Sequence, residues 1–237
     1  MDVYWLEQAE AAVPSSDDWL SPRETICWSG LRSEKRRRDW RLGRWTAKRA
    51  LAAYWKLPPD GQTLARLEIR PAPSGAPLVF IADEPVAVTI SLSHRAARAS
   101  CAIAMAGAGL GCDVELIEPR SAAFAADYFT AEEQAFVESV SAPDRFPLLA
   151  LLWSGKESAL KALQDGLRLD LRCVSVLPAD FPPPSGRHEW RPLHVRYTRG
   201  ATFHGWWHST GALVRTLVAV PPPLPPIALP MPAISRH

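Results

Sequence analysis

Proline placement limits this chain more than any other feature. Many of its 23 prolines fall in two runs, residues 178–184 (PADFPPP) and the segment from Pro221 onward (PPPLPPIALPMPAISRH). Each proline removes a backbone N–H and fixes φ, so a run that dense continues neither a helix nor a central strand. The folded body is therefore expected to end near residue 220. Residues 221–237 read as an extended tail that moves unless it docks on the body. Residues 178–188 read as a loop between strands.

Before residue 220 the chain alternates helical and strand patterns. Trp40, Ala47, Leu51 and Tyr54 follow a helical period, with Ser33 as N-cap, which predicts a helix over 33–55. Thr130 with Glu133 three residues later forms a capping-box pattern for a helix over 130–140, and a longer one covers 144–164. Strands are expected at 2–6, 64–70, 78–81, 86–94, 99–106 and 110–116, and again at 171–177, 193–199, 201–207 and 212–219. Each half thus offers one long helix and a mostly antiparallel sheet, with the boundary near Gly109. The expected division is 1–109, 110–220 and the proline-rich tail 221–237.

Composition narrows the class. Hydrophobic residues make up 47% of the 237 and charged residues 22%, ordinary globular usage that excludes wholesale disorder, a collagen-like fibre and a disulfide miniprotein. The formal net charge of +2 is low for a protein that lives on nucleic-acid phosphates, so any anion site is local. No apolar run approaches the ~20 residues of a membrane span, and the acidic MDVYWLEQAE start does not read as a signal peptide. A cytoplasmic protein is expected. Cys27, Cys101, Cys112 and Cys173 form no C-x-x-C pair and read as small buried side chains.

Four constellations carry chemistry. Asp113 and Glu115 lie two apart in a strand and share one side of the sheet. They read either as a solvated strand face or as a hard-cation site, since Mg²⁺ favours one or two carboxylates plus substrate phosphates. Trp153, Glu157 and Lys161 stand at i, i+4 and i+8 on one helix face, as a surface pair with a packed Trp or as a third carboxylate with a phosphate-holding lysine. Gly155 in that helix costs ~1 kcal/mol relative to Ala, which a close approach of a ligand or another chain explains. Ser93 and His94 end an apolar strand, where backbone N–H groups and side chains meet an anion. Finally, residues 32–49 are rich in Arg and Lys. Arg41, Arg44 and Lys48 form a ridge matched to phosphate groups, or the run is a solvated face.

In this order the segments resemble the Sfp-type 4′-phosphopantetheinyl transferases. GCDVE at 111–115, WSGKESALK at 153–161 and ISLSH at 90–94 are similar to that family's motifs, as are GRWTAKRAL at 43–51 and FTAEE at 129–133. The resemblance spans roughly residues 30–175. It implies an α+β fold of two similar halves related by a pseudo-twofold axis, with a ligand cleft between them. It implies transfer of the 4′-phosphopantetheine arm of coenzyme A to a serine of an apo acyl, peptidyl or polyketide carrier protein, releasing 3′,5′-ADP. Carried over residue by residue, it makes Asp113, Glu115 and Glu157 Mg²⁺ ligands and Glu157 and Lys161 catalytic. It assigns Arg44, Lys48, Ser93, His94, Asp113, Lys156 and Lys161 to coenzyme A. Phe124, Tyr128 and Phe129 read either as a docking surface for the carrier or as core. A monomer without nucleic-acid or membrane partners is expected. Two alternatives stand beside this: a catalytically silent carrier-binding paralogue of the same fold, or a nucleic-acid-binding protein using helix 32–49. The sequence departs from the family at Ala76, where a basic residue is usual, at Arg95, where serine is usual, and at Cys112, where a branched aliphatic residue is usual. Arg70 or a basic-helix residue is expected to replace the missing cation at Ala76, and Arg95 to compensate in charge.

Overall fold

The computed structural model of the chain describes residues 1–164, 170–183, 189–198, 200 and 202–230. The first half runs β1 (Tyr4–Ala9), α1 (Pro22–Ser29), α2 (Glu34–Tyr54) and the short α3 (Gly61–Arg66). It continues with β2 (Leu67–Pro71), β3 (Pro77–Ile81) and β4 (Glu84–Pro85), then the hairpin β5 (Val88–Arg95) and β6 (Arg98–Met105). The second half runs β7 (Gly109–Leu116), α4 (Ala122–Tyr128), α5 (Ala131–Ser139), α6 (Ala142–Leu163), β8 (Val174–Pro178), β9 (Arg191–Tyr197), β10 (Thr202–Thr210) and β11 (Leu213–Val220). A two-residue strand, β12 (Ile227–Ala228), closes the described chain. The architecture is mixed α+β. No helix among the described residues is long and apolar enough to cross a membrane.

The strands form sheets in the orders β12-β1-β6-β5, β7-β11-β10-β9-β8 and β2-β3-β4. The two larger sheets share a connectivity. In each half the opening strand pairs antiparallel with the closing one, which pairs with the strand before it, giving β1–β6–β5 and β7–β11–β10.

A buried device recurs as well. Ser21 and Glu24 cap α1, while Thr130 and Glu133 cap α5, each as a complete capping box. Each capping glutamate also pairs with a fully buried lysine of the long helix, Glu24 with Lys48 and Glu133 with Lys156. Its other oxygen accepts a strand N–H, from Ile69 at 3.3 Å and from Val176 at 2.8 Å. One side chain thus ties short helix, long helix and strand together in each half. Without the glutamate carboxylates these strand N–H groups would be bare in the core, where an unmade hydrogen bond costs about 1–3 kcal/mol.

Three cores follow. One sits under α2, with Leu6, Trp45, Leu51, Ile90 and Ile103. A second sits under α6, with Leu148, Leu152, Leu160, Val195 and Phe203. The third is the interface between sheets, where Val3, Trp5, Ala102 and Ala104 meet Leu110, Cys112, Leu217 and Ala219. A bidentate pair, Arg215 on Glu7 at 2.6 and 2.8 Å, adds a polar link there.

Some expectations change. The strand expected at 64–70 begins as α3, because Asp60 accepts from Thr63 N–H and caps a helical turn. The helices α1 and α4 lie in segments with no sequence expectation. The tail docks through residue 229. Ile227 and Leu229 donate N–H bonds to Val3 and Trp5, both at 2.9 Å, Trp206 Nε1 donates to Pro223 O, and Leu229 is buried. It covers the edge of β1 that an open sheet leaves unpaired. Part of the expected loop 178–188, residues 184–188, lies outside the described residues, as do 231–237 of the tail. Cys101 and Cys112 are buried as expected, but Cys27 is exposed on α1.

Candidate active site

The two halves meet along β5 and β7. Both are edge strands, so β7 leaves backbone N–H groups unpaired toward β5. Two serines of the ISLSH segment take them. Cys112 N–H donates to Ser91 Oγ at 3.0 Å and Val114 N–H to Ser93 Oγ at 3.2 Å. Side chains therefore stitch the seam where a ladder does not. Ser93 then donates its hydroxyl to Asp113 Oδ1 at 2.7 Å. Ser91 was missed by sequence reasoning; its period-two spacing from Ser93 is the signal that points to it.

Helix α6 brings the other groups. A Cβ at Gly111 would lie 1.7 Å from the Ser158 carbonyl oxygen, so only glycine lets α6 lie this close on β7. That approach seats Lys161 Nζ 2.9 Å from Asp113 Oδ1 and 3.0 Å from the Cys112 carbonyl. Gly155 has a different reason from the one expected. A Cβ there would meet Val176 at 2.8 Å, so it serves helix-on-sheet packing rather than ligand approach.

The carboxylates are buried, which removes the solvated-face reading of β7. Asp113 is 5% exposed and Glu115 8%. Asp113 Oδ2 is buried with no hydrogen-bond partner. Burial and then the Asp113 charge push the Glu157 carboxyl above its ordinary range, Glu115 adding to the effect and Lys161 opposing it. Burial likewise raises Glu115, against the Leu116 N–H, Arg95 and Arg120. Lys161 titrates above the ordinary lysine range although burial opposes its charge, because Asp113, Cys112 and Glu157 outweigh it.

Glu115 is drawn aside. Its Oε1 accepts from Leu116 N–H at 2.9 Å and lies 2.9 Å from Arg95 Nε and 3.2 Å from Arg120. Arg95 and Arg120 also hold Glu118, at 2.6 and 3.0 Å. Among the described residues, no three His, Cys, Asp or Glu side chains form a metal-holding group. The three carboxylates named from sequence are therefore neighbours rather than a closed cluster. The charge of Arg95 is spent on Glu115 and Glu118.

Two cavities adjoin here, sharing Arg44 and Leu92. One, of about 380 Å³, runs from Arg70 and the 74–78 turn past Ser91 to Leu160 and Lys161. The other, of about 390 Å³, is lined by Arg36, Asp39, Trp40, Ser93 and His94. Both are within the range of small-molecule sites.

The basic ridge is corrected. Arg41 turns to Asp17 and to the Pro14 carbonyl, and Lys48 is fully buried on Glu24 and the Trp19 carbonyl. Only Arg44 of the three reaches the cavities; it stacks on Trp40 at 4.8 Å. Lys156 is fully buried too, on Glu133 and the Leu171 and Val174 carbonyls, and lines neither cavity. Lys48 and Lys156 are thus equivalent internal anchors, not ligand groups. Burial lowers both ammonium pKa values, against the opposing glutamates. Arg70 lines the first cavity but is bound by Glu68 and Asp83 and covers Phe80 at 4.1 Å. Of the three aromatics, Phe129 is core, while Phe124 and Tyr128 pack with Trp153, each ring pair 5.1 Å apart, and Tyr128 keeps an exposed face.

Residues 109–212, from β7 through the β10–β11 turn, match the family model of the 4′-phosphopantetheinyl transferase superfamily. Over this segment the chain is similar to that superfamily. The match contains Asp113, Glu115, Glu157 and Lys161, and so covers the floor of the seam. Among solved structures, holo-[acyl-carrier-protein] synthase (AcpS) of Helicobacter pylori, in complex with coenzyme A, is similar over 44% of this chain and 99% of that one. The identity is 15% and the TM-score 0.35, a likeness too distant to carry an argument about this chain. No curated protein matches it in sequence.

Proposed function

We propose that the chain transfers the 4′-phosphopantetheine arm of coenzyme A to a serine of an apo carrier protein, as an Sfp-type enzyme acting as a cytoplasmic monomer. One observation carries the reading: within the matched segment, Lys161 lines a cavity that Arg44 also lines, and behind it Lys161 Nζ lies 2.9 Å from Asp113 Oδ1, with Glu157 close enough to feel both charges. Asp113, buried with one oxygen unpartnered, and the partly buried Glu157 repel one another, and the single Lys161 ammonium offsets only part of their charge, so a further cation is favoured there. Mg²⁺ fits this donor set, because it takes one or two carboxylates and completes its shell with phosphate oxygens and water. Asp113 and Glu157 would hold it, with Glu115 adding charge alongside. When bound it supplies charge neutralisation on the pyrophosphate oxygens.

The chain's own residues divide the remaining work. Arg44, facing both cavities, takes nucleotide phosphate. His94, with Arg36 beside it, takes the phosphate that reaches the second cavity. Ser93 holds the Asp113 carboxylate in orientation. The carrier serine oxygen attacks the phosphorus that bears the pantetheine arm, and the phosphorus–oxygen bond to 3′,5′-ADP breaks. Glu157, with its raised carboxyl pKa, accepts the serine proton. Lys161 neutralises charge on the departing 3′,5′-ADP, and positioning with electrostatics supplies most of the acceleration. Tyr128 and Phe124 beside Trp153 give the carrier an apolar edge to rest on.

The test is a loading assay with coenzyme A, Mg²⁺ and apo carrier proteins of the acyl and peptidyl types, read by intact mass. A carrier gaining the phosphopantetheine mass supports the reading. No gain on any carrier, with coenzyme A still bound, identifies a silent carrier-binding paralogue.

A further inference from the structure

The exposed face of the larger sheet carries a pair of imidazoles that the proposed reaction does not use. His194 on β9 and His204 on β10 are direct cross-strand partners. Their neighbours Leu193, Val195 and Phe203 point into the α6 core, so strand alternation turns both histidines to the opposite, exposed face. The rings meet edge to face with centroids 5.1 Å apart, and Nδ1 lies 3.1 Å from Nδ1.

That spacing has two uses. With one Nδ1 protonated it is a hydrogen bond. With both deprotonated it is a chelate bite. Metal–imidazole bonds of about 2.0–2.1 Å, opened by 90° to the tetrahedral angle, separate the two nitrogens by roughly 2.9–3.4 Å. The ladder fixes the register on both sides, Gly205 to Leu193 and Phe203 to Val195, so little ordering is left for a ligand to impose. Arg196, two residues from His194 on the same strand face, is engaged by Glu132 at 3.2 Å.

We propose that His194 and His204 form a two-imidazole surface site for a late first-row divalent cation, Zn²⁺, Ni²⁺ or Cu²⁺, with water completing the shell. Neutral imidazole suits these ions, whereas Mg²⁺ prefers oxygen donors, so ligand chemistry separates this site from the carboxylates at the seam. An ion here staples β9 to β10.

The experiment uses the full chain with Cys27→Ser, which removes the exposed thiol as a competitor. Zn²⁺ is titrated calorimetrically in two buffers of different ionisation enthalpy, and Cu²⁺ is followed by electron paramagnetic resonance. The expected result is one tight equivalent with proton release, nitrogen coupling in the Cu²⁺ spectrum, and a melting temperature that rises with Zn²⁺. His194→Gln and His204→Gln should each weaken binding by roughly 10–100-fold or more and abolish the thermal shift. A variant with lowered stability is still read by that shift. Unchanged binding in the double variant overturns the proposal, as does binding lost instead with His94→Gln, His188→Gln, His237→Gln or Asp113→Ala.

Discussion

At the scale of single residues, the seam is electrostatically unfinished, and that has a measurable signature. The Glu157 and Glu115 carboxyls titrate higher in the folded chain than in the unfolded one. Folding therefore takes up protons between the two values. The ligand-free chain holds this stability below the unfolded glutamate value, about 4.3, and loses it as pH rises through the raised folded range. Glu157→Gln should flatten the decline and raise the melting temperature of the ligand-free chain at pH 7 by about 2–4 °C, while weakening Mg²⁺ binding. A melting temperature that falls would mean Glu157 is stabilised by a partner. For Lys161, a fixed cation beside charge that grows in the reaction favours the transition state over bound coenzyme A. Lys161→Ala should lower kcat by roughly 10²–10³ with less change in KM, and Lys161→Arg should recover part of it. A change in KM alone would make Lys161 a ground-state clamp. Asp113, Glu157 and Lys161 were legible because their spacing survives folding. Lys48 and Lys156 turn inward to Glu24 and Glu133 instead of lining the cavities, because helical spacing alone does not tell which side of the helix the sheet and the short helix cover.

At the scale of elements, the capping glutamates predict what their lysines do. Removing one partner of a buried pair typically costs about 3–5 kcal/mol. Lys156→Ala and Lys48→Ala should each lose stability on that scale in denaturant titrations, with coenzyme A affinity unchanged in the molecules that remain folded. Ligand-binding lysines would show the reverse. The β5–β6 turn is the other informative element. Ala96 and Ala97 both sit at positive φ, 50° and 57°, in a two-residue hairpin loop. Such loops ordinarily use Asn-Gly, since other residues are strained there. Ala96→Asn with Ala97→Gly should stabilise the chain, raising its melting temperature by about 2–4 °C; a decrease would contradict the turn geometry. The same turn explains why this hairpin was only partly readable, as RAAR carries no turn chemistry. Strand alternation in 86–94 and the capping box at Thr130 were readable because period and cap are local properties.

At the scale of the whole molecule, two halves with matching connectivity are joined by an apolar interface, a bidentate Arg215–Glu7 pair and a serine-stitched seam. The sequence shows two helix-and-sheet halves, but not how their edges meet, because that contact joins residues about 20 positions apart through side chains rather than through a pattern. Whether the tail docks was open in the sequence for a related reason: composition reports what prolines prevent, not which groove they fit. Ending the chain at Val220 should lower the melting temperature and promote association, since it uncovers the β1 edge and exposes the groove of Leu229. The central claim is that the seam is a transferase site built on Asp113. The most direct measurement compares carrier loading by the wild type and Asp113→Ala, with Mg²⁺ and with excess EDTA, in molecules of equal thermal stability. Loading by the wild type with Mg²⁺, and its absence both in EDTA and in Asp113→Ala, is the predicted result; full loading in EDTA or by Asp113→Ala would contradict it.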